Sequence, residues 1–197
     1  AAKREALSGF GDDRIFFERY IEKSRHIEVQ ILGDDKNVVH LGERECSIQR
    51  RHQKIIEESP STRLSEELRS NICEDAKRIA KAIKYTSAGT VEFLLDDKTG
   101  EYWFLEVNTR LQVEHPVTEE VTGIDIVQEQ INIANKKSIS FLNNDATDLG
   151  YSFGHSIEVR IYAENPENDF LPETGEIFIY QPSELDGIRW ELSLIHI

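Results

Sequence analysis

The chain has 197 residues, of which 39% are hydrophobic and 30% charged, and its formal net charge is −14. This composition is typical of a globular protein without a membrane span, and the acidic balance argues against a nucleic-acid partner. The two cysteines, Cys46 and Cys73, predict neither a disulfide framework nor a cysteine metal site, and they favour a reducing compartment. Because the sequence contains no methionine, we expect a piece of a longer chain.

The first part of the chain alternates between loop and strand signals. The short first segment ends in SGFGDD at residues 8–13, which predicts a loop. Segments rich in Ile, Phe and Val predict strands at residues 14–22, 25–32 and 38–41. Residues 43–58 carry a dense mixture of charges with no regular period, and a connection containing Pro60 follows.

A helix is predicted over residues 65–84, with Ser65 as its N-cap. Apolar residues recur at intervals of three and four and predict a buried stripe of Leu68, Ile72, Ala76, Ile79, Ala80 and Ile83. A second helix is predicted from Asp125, with Gln128 completing a capping box. Its expected apolar face is Ile126, Val127, Ile131 and Ala134.

A hairpin is predicted over residues 90–108, reversing at the five-residue loop 96–100. In this register Glu92 lies opposite Phe104, and Glu106 is its diagonal neighbour on the same face of the ribbon. A loop one residue longer or shorter would turn the two acids to opposite faces. The expected pairing therefore depends on the register.

The run FLEVNTRLQVEHPVTE places a charged or amide residue at every second position, so an extended chain would present five of them on one face. These residues are Glu106, Asn108, Arg110, Gln112 and Glu114. Oxygen ligands from Glu92, Glu106 and Asn108 would suit Mg²⁺. The alternative is an acidic, solvent-facing ribbon. The apolar residues beside these acids occur at both odd and even positions, which suggests a strand covered on both sides. An acid in such a strand needs a partner, and this favours the metal site.

A basic cluster precedes the hairpin and could supply local positive potential for an anionic nucleotide in an acidic chain. It consists of Arg50, Arg51, His52 and Lys54. The alternative is a solvated run of charges balanced by Glu57 and Glu58.

Long segments of the sequence resemble the biotin carboxylase component of biotin-dependent carboxylases, an ATP-grasp enzyme. They are HIEVQILGDDKNVVHLGERECSIQRRHQKIIEESP, GTVEFLLD and FLEVNTRLQVEHPVTEEVTGIDIVQEQI, followed by GHSIEVRIYAENP and FLPETGEI. The resemblance covers about residues 10–191. It implies an α+β fold with an antiparallel sheet and packed helices, followed by the beginning of the biotin carboxylase C-terminal domain.

The resemblance implies a two-step ligase reaction. Bicarbonate attacks the γ-phosphate of ATP to give carboxyphosphate, whose carboxyl group is transferred to N1 of biotin. In the family, residues matching Glu92 and Glu106, assisted by Asn108, hold two Mg²⁺ (or Mn²⁺) ions on the ATP phosphates. The biotin is expected to arrive on another segment or subunit.

The same resemblance implies roles for the residues around the hairpin. Arg110, Gln112 and the backbone of Val113 would bind bicarbonate. Glu114 would act as the general base, and Arg160 would stabilise the biotin enolate.

Nucleotide contacts are also implied by position in the family pattern. Glu18, Arg19 and Ile21 match a strand that meets adenine. His26, Gln49 and His52 match positions near the ribose and phosphates, and Lys54 matches one near the phosphate and bicarbonate.

The resemblance implies three regions: the end of the ATP-grasp lid at 1–20, the catalytic subdomain at 21–150, and the start of the C-terminal domain at 151–197. The glycine-rich lid loop of the family is expected upstream of residue 1. The tail Leu192–Ile197 does not continue the family pattern.

Expected partners are a biotin carboxyl carrier domain and a carboxyltransferase, with homodimerisation of the intact component. No nucleic-acid or membrane partner is expected, and the compartment is the bacterial cytoplasm or the mitochondrial matrix. One alternative is a carbamoyl-phosphate-forming ATP-grasp ligase, which also phosphorylates bicarbonate. The other is a catalytically silent, partner-binding fragment.

Overall fold

A computed structural model describes residues 1–139 and 154–191. The helices are α1 (Ala2–Phe10), α2 (Glu66–Ala82), α3 (His115–Thr122) and α4 (Ile126–Ala134). The strands are β1 (Ser24–Gly33), β2 (Val38–Arg50), β3 (Gln53–Ser59), β4 (Ser87–Asp96), β5 (Tyr102–Asn108), β6 (Ser156–Val159), β7 (Glu164–Asn165) and β8 (Leu171–Pro172). The chain divides into two compact units, Ala1–Arg160 and Ile161–Ile197.

The first unit is built on a six-stranded sheet with the order β5-β4-β1-β2-β3-β6, and every neighbouring pair is antiparallel. Helix α2 packs against β1 and β2, α3 against β2, β3 and β6, and α4 against β4. The α+β class with an antiparallel sheet and packed helices is confirmed.

Strand β1 lies in the middle of the sheet and separates two different environments. Because side chains alternate along a strand, its odd-numbered residues share the face that packs under α2. Those residues are Ile27, Val29 and Ile31, in one apolar core with Ile72 and Ala76 of α2. The even-numbered residues occupy the other face and are polar from His26 to Gln30. That face becomes apolar only at Leu32, which joins the core under α4.

Helix α2 confirms the predicted helix and its cap, since the Ser65 side chain accepts a hydrogen bond from the Leu68 amide. Ile72, Ala76 and Ala80 are buried as expected. Ile83 is not, because the helix ends one residue earlier and its side chain is 54% exposed.

Helix α4 confirms the Asp125 cap, which accepts from the Gln128 amide at 2.7 Å. The predicted apolar face is correct at Ile126 but otherwise wrong in phase. The helix buries Ile126 and Ile133, whereas the predicted face residues Val127, Ile131 and Ala134 are exposed. Contact with β4 sets this phase.

The secondary structure predicted for the first 22 residues is wrong except for the loop from Gly11 onwards. Residues 2–10 form α1, which ends at Gly11 in the left-handed region at φ 69°. The predicted strand at 14–22 is not formed, and Phe16, Phe17 and Tyr20 are more than 80% exposed. Strand propensity in a short apolar run depends on packing against neighbours, and these side chains have little of it.

Residues 43–58 show no sequence period, yet they belong to β2 and β3. Two register shifts interrupt their pairing, between Glu45 and Ile48 and between Ile48 and Gln49. Bulges of this kind break the two-residue alternation. Charged residues such as Glu43, Arg44 and Glu57 are also buried here, so neither periodicity nor hydrophobicity marks these strands.

The segment HSIEVRIYAE contributes β6, which pairs with β3. The second unit contains the paired strands β7 and β8. The sequence FLPETGEIFIYQP predicts a turn followed by a strand, but no strand forms after Thr174 and Ile177–Tyr180 are exposed. The polar residues 135–150 predict a linker, most of which lies outside the described residues, as does the tail at 192–197. In the described part of the chain, no helix is long and apolar enough to cross a membrane.

Candidate active site

The hairpin of β4 and β5 brings Glu92 and Glu106 directly opposite each other. The predicted register was wrong, because near the turn Leu95 pairs with Tyr102 and Phe93 with Phe104. Continued without interruption, that register would have turned Glu106 to the opposite face from Glu92. A bulge between Glu92 and Phe93 shifts the pairing by one residue and returns both acids to one face.

Glu92 lies under the site surface with 3% of its area exposed. Its Oε1 accepts hydrogen bonds from Asn108 Nδ2 and Gln112 Nε2, both at 2.7 Å, and lies 3.3 Å from Lys54 Nζ. Its Oε2 lies 2.5 Å from His26 Nε2. The expectation that this acid needs a partner is met by protein donors.

Glu106 and Asn108 complete the predicted oxygen set on the outer strand. Asn108 Nδ2 also donates to Glu106 Oε1 at 3.2 Å, so the amide bridges the two carboxylates. The prediction that the hairpin is covered on both sides fails for β5, where Glu106 is exposed and Phe104 and Leu105 are 53% and 39% exposed. Strand β5 is an edge strand, and its polar face is open on the side of Glu106.

The predicted five-residue stripe does not lie on one extended strand. Strand β5 ends at Asn108, and residues 109–114 follow an irregular path to α3. The path nevertheless brings Gln112 to Glu92, while Arg110 stays exposed and donates to Asn108 Oδ1 at 3.4 Å. Val113 is 59% exposed.

Lys54 of β3 lies at the centre of a group of carboxylates. Its Nζ is 2.6 Å from Glu114 Oε1 and also contacts Glu28 Oε1 and Glu92 Oε1. Burial alone would lower the pKa of Lys54, but the charges of Glu28 and Glu114 and their hydrogen bonds outweigh burial and raise it. The lysine is therefore a permanent cation at the centre of these carboxylates.

Glu114, the N-cap residue of α3, is 2% exposed and lies between two cations. Its Oε1 contacts Lys54, and its Oε2 accepts from Arg160 Nη2 at 2.7 Å. Arg160 also forms an ion pair from Nε to Glu57 Oε1 at 2.7 Å. The predicted base and the predicted biotin-stabilising arginine are thus in direct contact.

The ionisation of Glu92 and His26 is set by their contact. Burial alone would raise the pKa of Glu92, but His26 and Lys54 outweigh it and lower the pKa to about 2. Burial alone would lower the pKa of His26, but Glu28 and Glu92 outweigh it and raise the pKa to about 9. At neutral pH the site therefore holds an ionised carboxylate beside an imidazolium.

Three of the predicted nucleotide residues line one cavity of about 350 Å³. They are His26, Gln49 and His52. The other residues that line this cavity are Ser24, Ser47, Leu94 and Leu105. Gln49 Nε2 lies 3.3 Å from His26 Nδ1, which ties the cavity wall to the Glu92 network. His52 lies in the turn between β2 and β3, at φ 62°.

Glu18, Arg19 and Ile21 lie in the irregular segment before β1. Arg19 and Ile21 line a second cavity of about 230 Å³ next to the hairpin turn, and the Arg19 guanidinium lies 5.2 Å from the centre of the Trp103 ring. Glu18 is exposed. The structure therefore places these residues on the turn side of the hairpin, apart from the Glu92 network.

Sequence reasoning missed two buried residues that organise the site, Glu28 of β1 and Arg44 of β2, both with 0% exposure. Glu28 contacts His26 and Lys54, and Arg44 contacts Glu28 and Gln112. For Glu28 the signal was present, because an acid inside the apolar run HIEVQIL raises the same question as Glu92.

Comparison with protein families decides the membership of the chain. Residues 1–142 match the model for the "Carbamoyl-phosphate synthase L chain, ATP binding domain". The chain belongs to this ATP-grasp family. The ATP-grasp membership implied by the resemblance is therefore confirmed.

Individual relatives narrow the resemblance to biotin carboxylases. Biotin carboxylase 2 of Bacillus subtilis is 49% identical over 193 residues, covering 98% of this chain and 42% of the relative. The crystal structure of Campylobacter jejuni biotin carboxylase in a β-γ-ATP complex superposes with a TM-score of 0.83 at 49% identity, covering 91% of this chain and 39% of that one. The biotin carboxylase domain of Hydrogenobacter thermophilus 2-oxoglutarate carboxylase gives a TM-score of 0.79 at 48% identity, with coverage of 86% and 37%. The chain thus spans about two fifths of the length of these relatives.

Proposed function

We propose that this chain supplies the metal- and bicarbonate-binding part of an ATP-dependent biotin carboxylase. The observation that carries the proposal is the direct pairing of Glu92 with Glu106 beside Asn108. Lys54 and Glu114, which contact each other, belong to the same cluster of side chains. The relatives' biotin carboxylase names support the reaction class.

The donor set fits a hard divalent cation. The Glu92 and Glu106 carboxylates meet at the Asn108 amide, whose Nδ2 donates to both. Turning this amide over would place its oxygen beside the two carboxylates, and Mg²⁺ and Mn²⁺ favour oxygen ligands. We assign Glu92, Glu106 and Asn108 as the residues that hold Mg²⁺ or Mn²⁺. When bound with ATP, the metal neutralises phosphate charge and aligns the γ-phosphoryl group. The H. thermophilus relative was crystallised with MgADP and bicarbonate, which supports this assignment.

Bicarbonate would bind between Arg110, Gln112 and the Val113 backbone, where a guanidinium and an amide N–H suit a planar anion. Glu114 would remove its proton, with Lys54 and Arg160 keeping the carboxylate oriented. The bicarbonate oxygen then attacks the γ-phosphate and displaces ADP, giving carboxyphosphate. Its carboxyl group would then pass to N1 of biotin as the bond to phosphate breaks, with inorganic phosphate leaving and taking up the N1 proton, and Arg160 would stabilise the biotin enolate formed during the transfer.

The nucleotide base and ribose would occupy the cavities lined by His26, Gln49, His52, Arg19 and Ile21. The family pattern adds Glu18 as a further adenine contact. The domain plan follows the family: lid at 1–20, catalytic subdomain at 21–150 and start of the C-terminal domain at 151–197.

The proposed partners are a biotin carboxyl carrier domain and a carboxyltransferase, with homodimerisation of the complete component. The H. thermophilus relative is described as a domain dimer, which supports the last point. The compartment would be a bacterial cytoplasm or a mitochondrial matrix, since curated relatives include bacterial and mitochondrial proteins.

The test is ATP cleavage by the complete enzyme that carries this chain. Phosphate release should require bicarbonate and accelerate with free biotin. Release that requires ammonia and ignores biotin would instead favour the carbamoyl-phosphate-forming alternative. No release under either condition, together with no heat on titration with Mg·ATP, would favour the silent fragment and reject the proposal.

A further inference from the structure

Arg44 of β2 is a fully buried arginine behind the site surface, with 0% of its area exposed. It donates hydrogen bonds to residues on β1, on β4, in α3 and in the segment that follows β5. Nη1 donates to Gln30 Oε1 at 2.7 Å and to Thr118 Oγ1 at 3.0 Å. Nη2 donates to Glu28 Oε2 at 3.3 Å, Thr90 Oγ1 at 3.2 Å and Gln112 Oε1 at 3.1 Å.

The contact with Gln112 fixes which end of that amide faces the site. A guanidinium has donors and no acceptor, so the amide oxygen of Gln112 must point towards Arg44. The amide nitrogen then points the other way and donates to Glu92 Oε1 at 2.7 Å. Without the guanidinium, a half-turn of the amide would direct an oxygen at the Glu92 carboxylate and at any anion beside it.

The contact with Glu28 ties one oxygen of that carboxylate to Arg44. Arg44 takes Oε2, while Oε1 contacts Lys54 and His26. The same guanidinium therefore restrains Lys54 indirectly, through Glu28, and it restrains the Gln112 amide directly. Thr118 adds the first half of α3, the helix that Glu114 caps.

We propose that Arg44 is a positioning residue for bicarbonate: it holds the Gln112 amide with its N–H groups towards the anion, and it reaches no substrate itself. This inference rests on the proposed function. A lysine at the same position would keep the charge but lose the fork, because one ammonium cannot reach acceptors on both sides of the guanidinium.

The experiment measures bicarbonate KM in the complete enzyme for wild type, Arg44→Lys, Gln112→Ala and the double variant. Loss of one charge-assisted hydrogen bond predicts a rise in bicarbonate KM of about tenfold for Arg44→Lys. Since Arg44 acts through Gln112, the same substitution should change KM by less than about twofold in the Gln112→Ala background. An unchanged KM in Arg44→Lys, or equal factors in both backgrounds, would overturn the proposal.

The matched control is Arg69→Lys. Arg69 is a partly buried arginine outside the site, and its Nε lies 2.9 Å from Glu43 Oε1. This substitution should lower the melting temperature and leave bicarbonate KM at the wild-type value. If Arg44→Lys does not fold, the isosteric Thr118→Val variant decides, because it removes one acceptor that fixes the guanidinium. The proposal is supported if Thr118→Val raises the bicarbonate KM and this rise disappears in the Gln112→Ala background. An unchanged KM overturns it.

The two proposals fail differently. Wild-type enzyme without bicarbonate-dependent phosphate release would reject the proposed function and this inference with it. Active wild-type enzyme whose bicarbonate KM ignores Arg44 would reject the positioning role alone.

Discussion

Glu92 and Glu106 share a face but differ in environment, and the difference predicts different consequences of substitution. Glu92 is buried and bonded to His26, Asn108 and Gln112, whereas Glu106 is exposed on the edge strand. Removing the charge of Glu92 would take away a buried anion that contacts both His26 and Lys54. Glu106 is therefore the residue at which metal binding separates most cleanly from folding.

The contacts of His26 with Glu28 and Glu92 predict that the stability of the protein depends on pH. The pKa of His26 is raised from 6.5 to about 9, so its stabilising contribution is complete below pH 6.5 and is lost as the pH rises through 9. The loss over this interval should be about 2–3 kcal/mol. Urea unfolding of wild type and His26→Gln at pH 6, 7.5 and 9 measures it.

In His26→Gln the fall in unfolding free energy between pH 6 and 9 should largely disappear. The exposed His52 on the neighbouring turn provides the control, and His52→Gln should keep the wild-type slope. An identical slope in His26→Gln and wild type would contradict the assigned coupling.

At the level of elements, the helix caps were readable from sequence because they depend on neighbours within three residues. Ser65 and Asp125 both accept from the amide three positions on. The hairpin register was not readable, since the bulge beside Glu92 reflects how the edge strand fits its neighbour. The turn predicted from DDKTG lies where it was expected. Glu92 and Glu106 share a face as predicted, but the bulge brings this about and not the predicted register.

Replacing Ser65 by alanine should destabilise the first unit through α2, which packs the core against β1. Loss of an N-cap hydrogen bond lowers the free energy of unfolding by about 1 kcal/mol. The matched control is Ser70→Ala, an exposed serine inside the same helix, where alanine is neutral or slightly stabilising. Urea unfolding monitored by circular dichroism compares the two, and equal stability of both variants would remove the cap from the account.

On the scale of the whole molecule, the sheet separates stability from chemistry. One face is covered by α2, and the other is divided between the α4 core and the polar site. The family pattern predicted the α+β fold and most of the residues that meet around Lys54. It did not predict Arg44 as an organiser, because the importance of Arg44 lies in contacts between residues far apart in sequence. Only for Glu28 did the sequence hold a signal, the acid inside the apolar run HIEVQIL.

The most direct test of the paired-carboxylate site is Mn²⁺ binding, followed by the electron paramagnetic resonance signal of the free ion. Wild type, Glu106→Gln and Glu101→Gln are compared, the last being an exposed acid on the same hairpin that removes the same charge away from the site. Glu106→Gln should weaken Mn²⁺ binding by at least about tenfold, with melting unchanged, while Glu101→Gln binds like wild type. Equal Mn²⁺ affinity in wild type and Glu106→Gln would contradict the account.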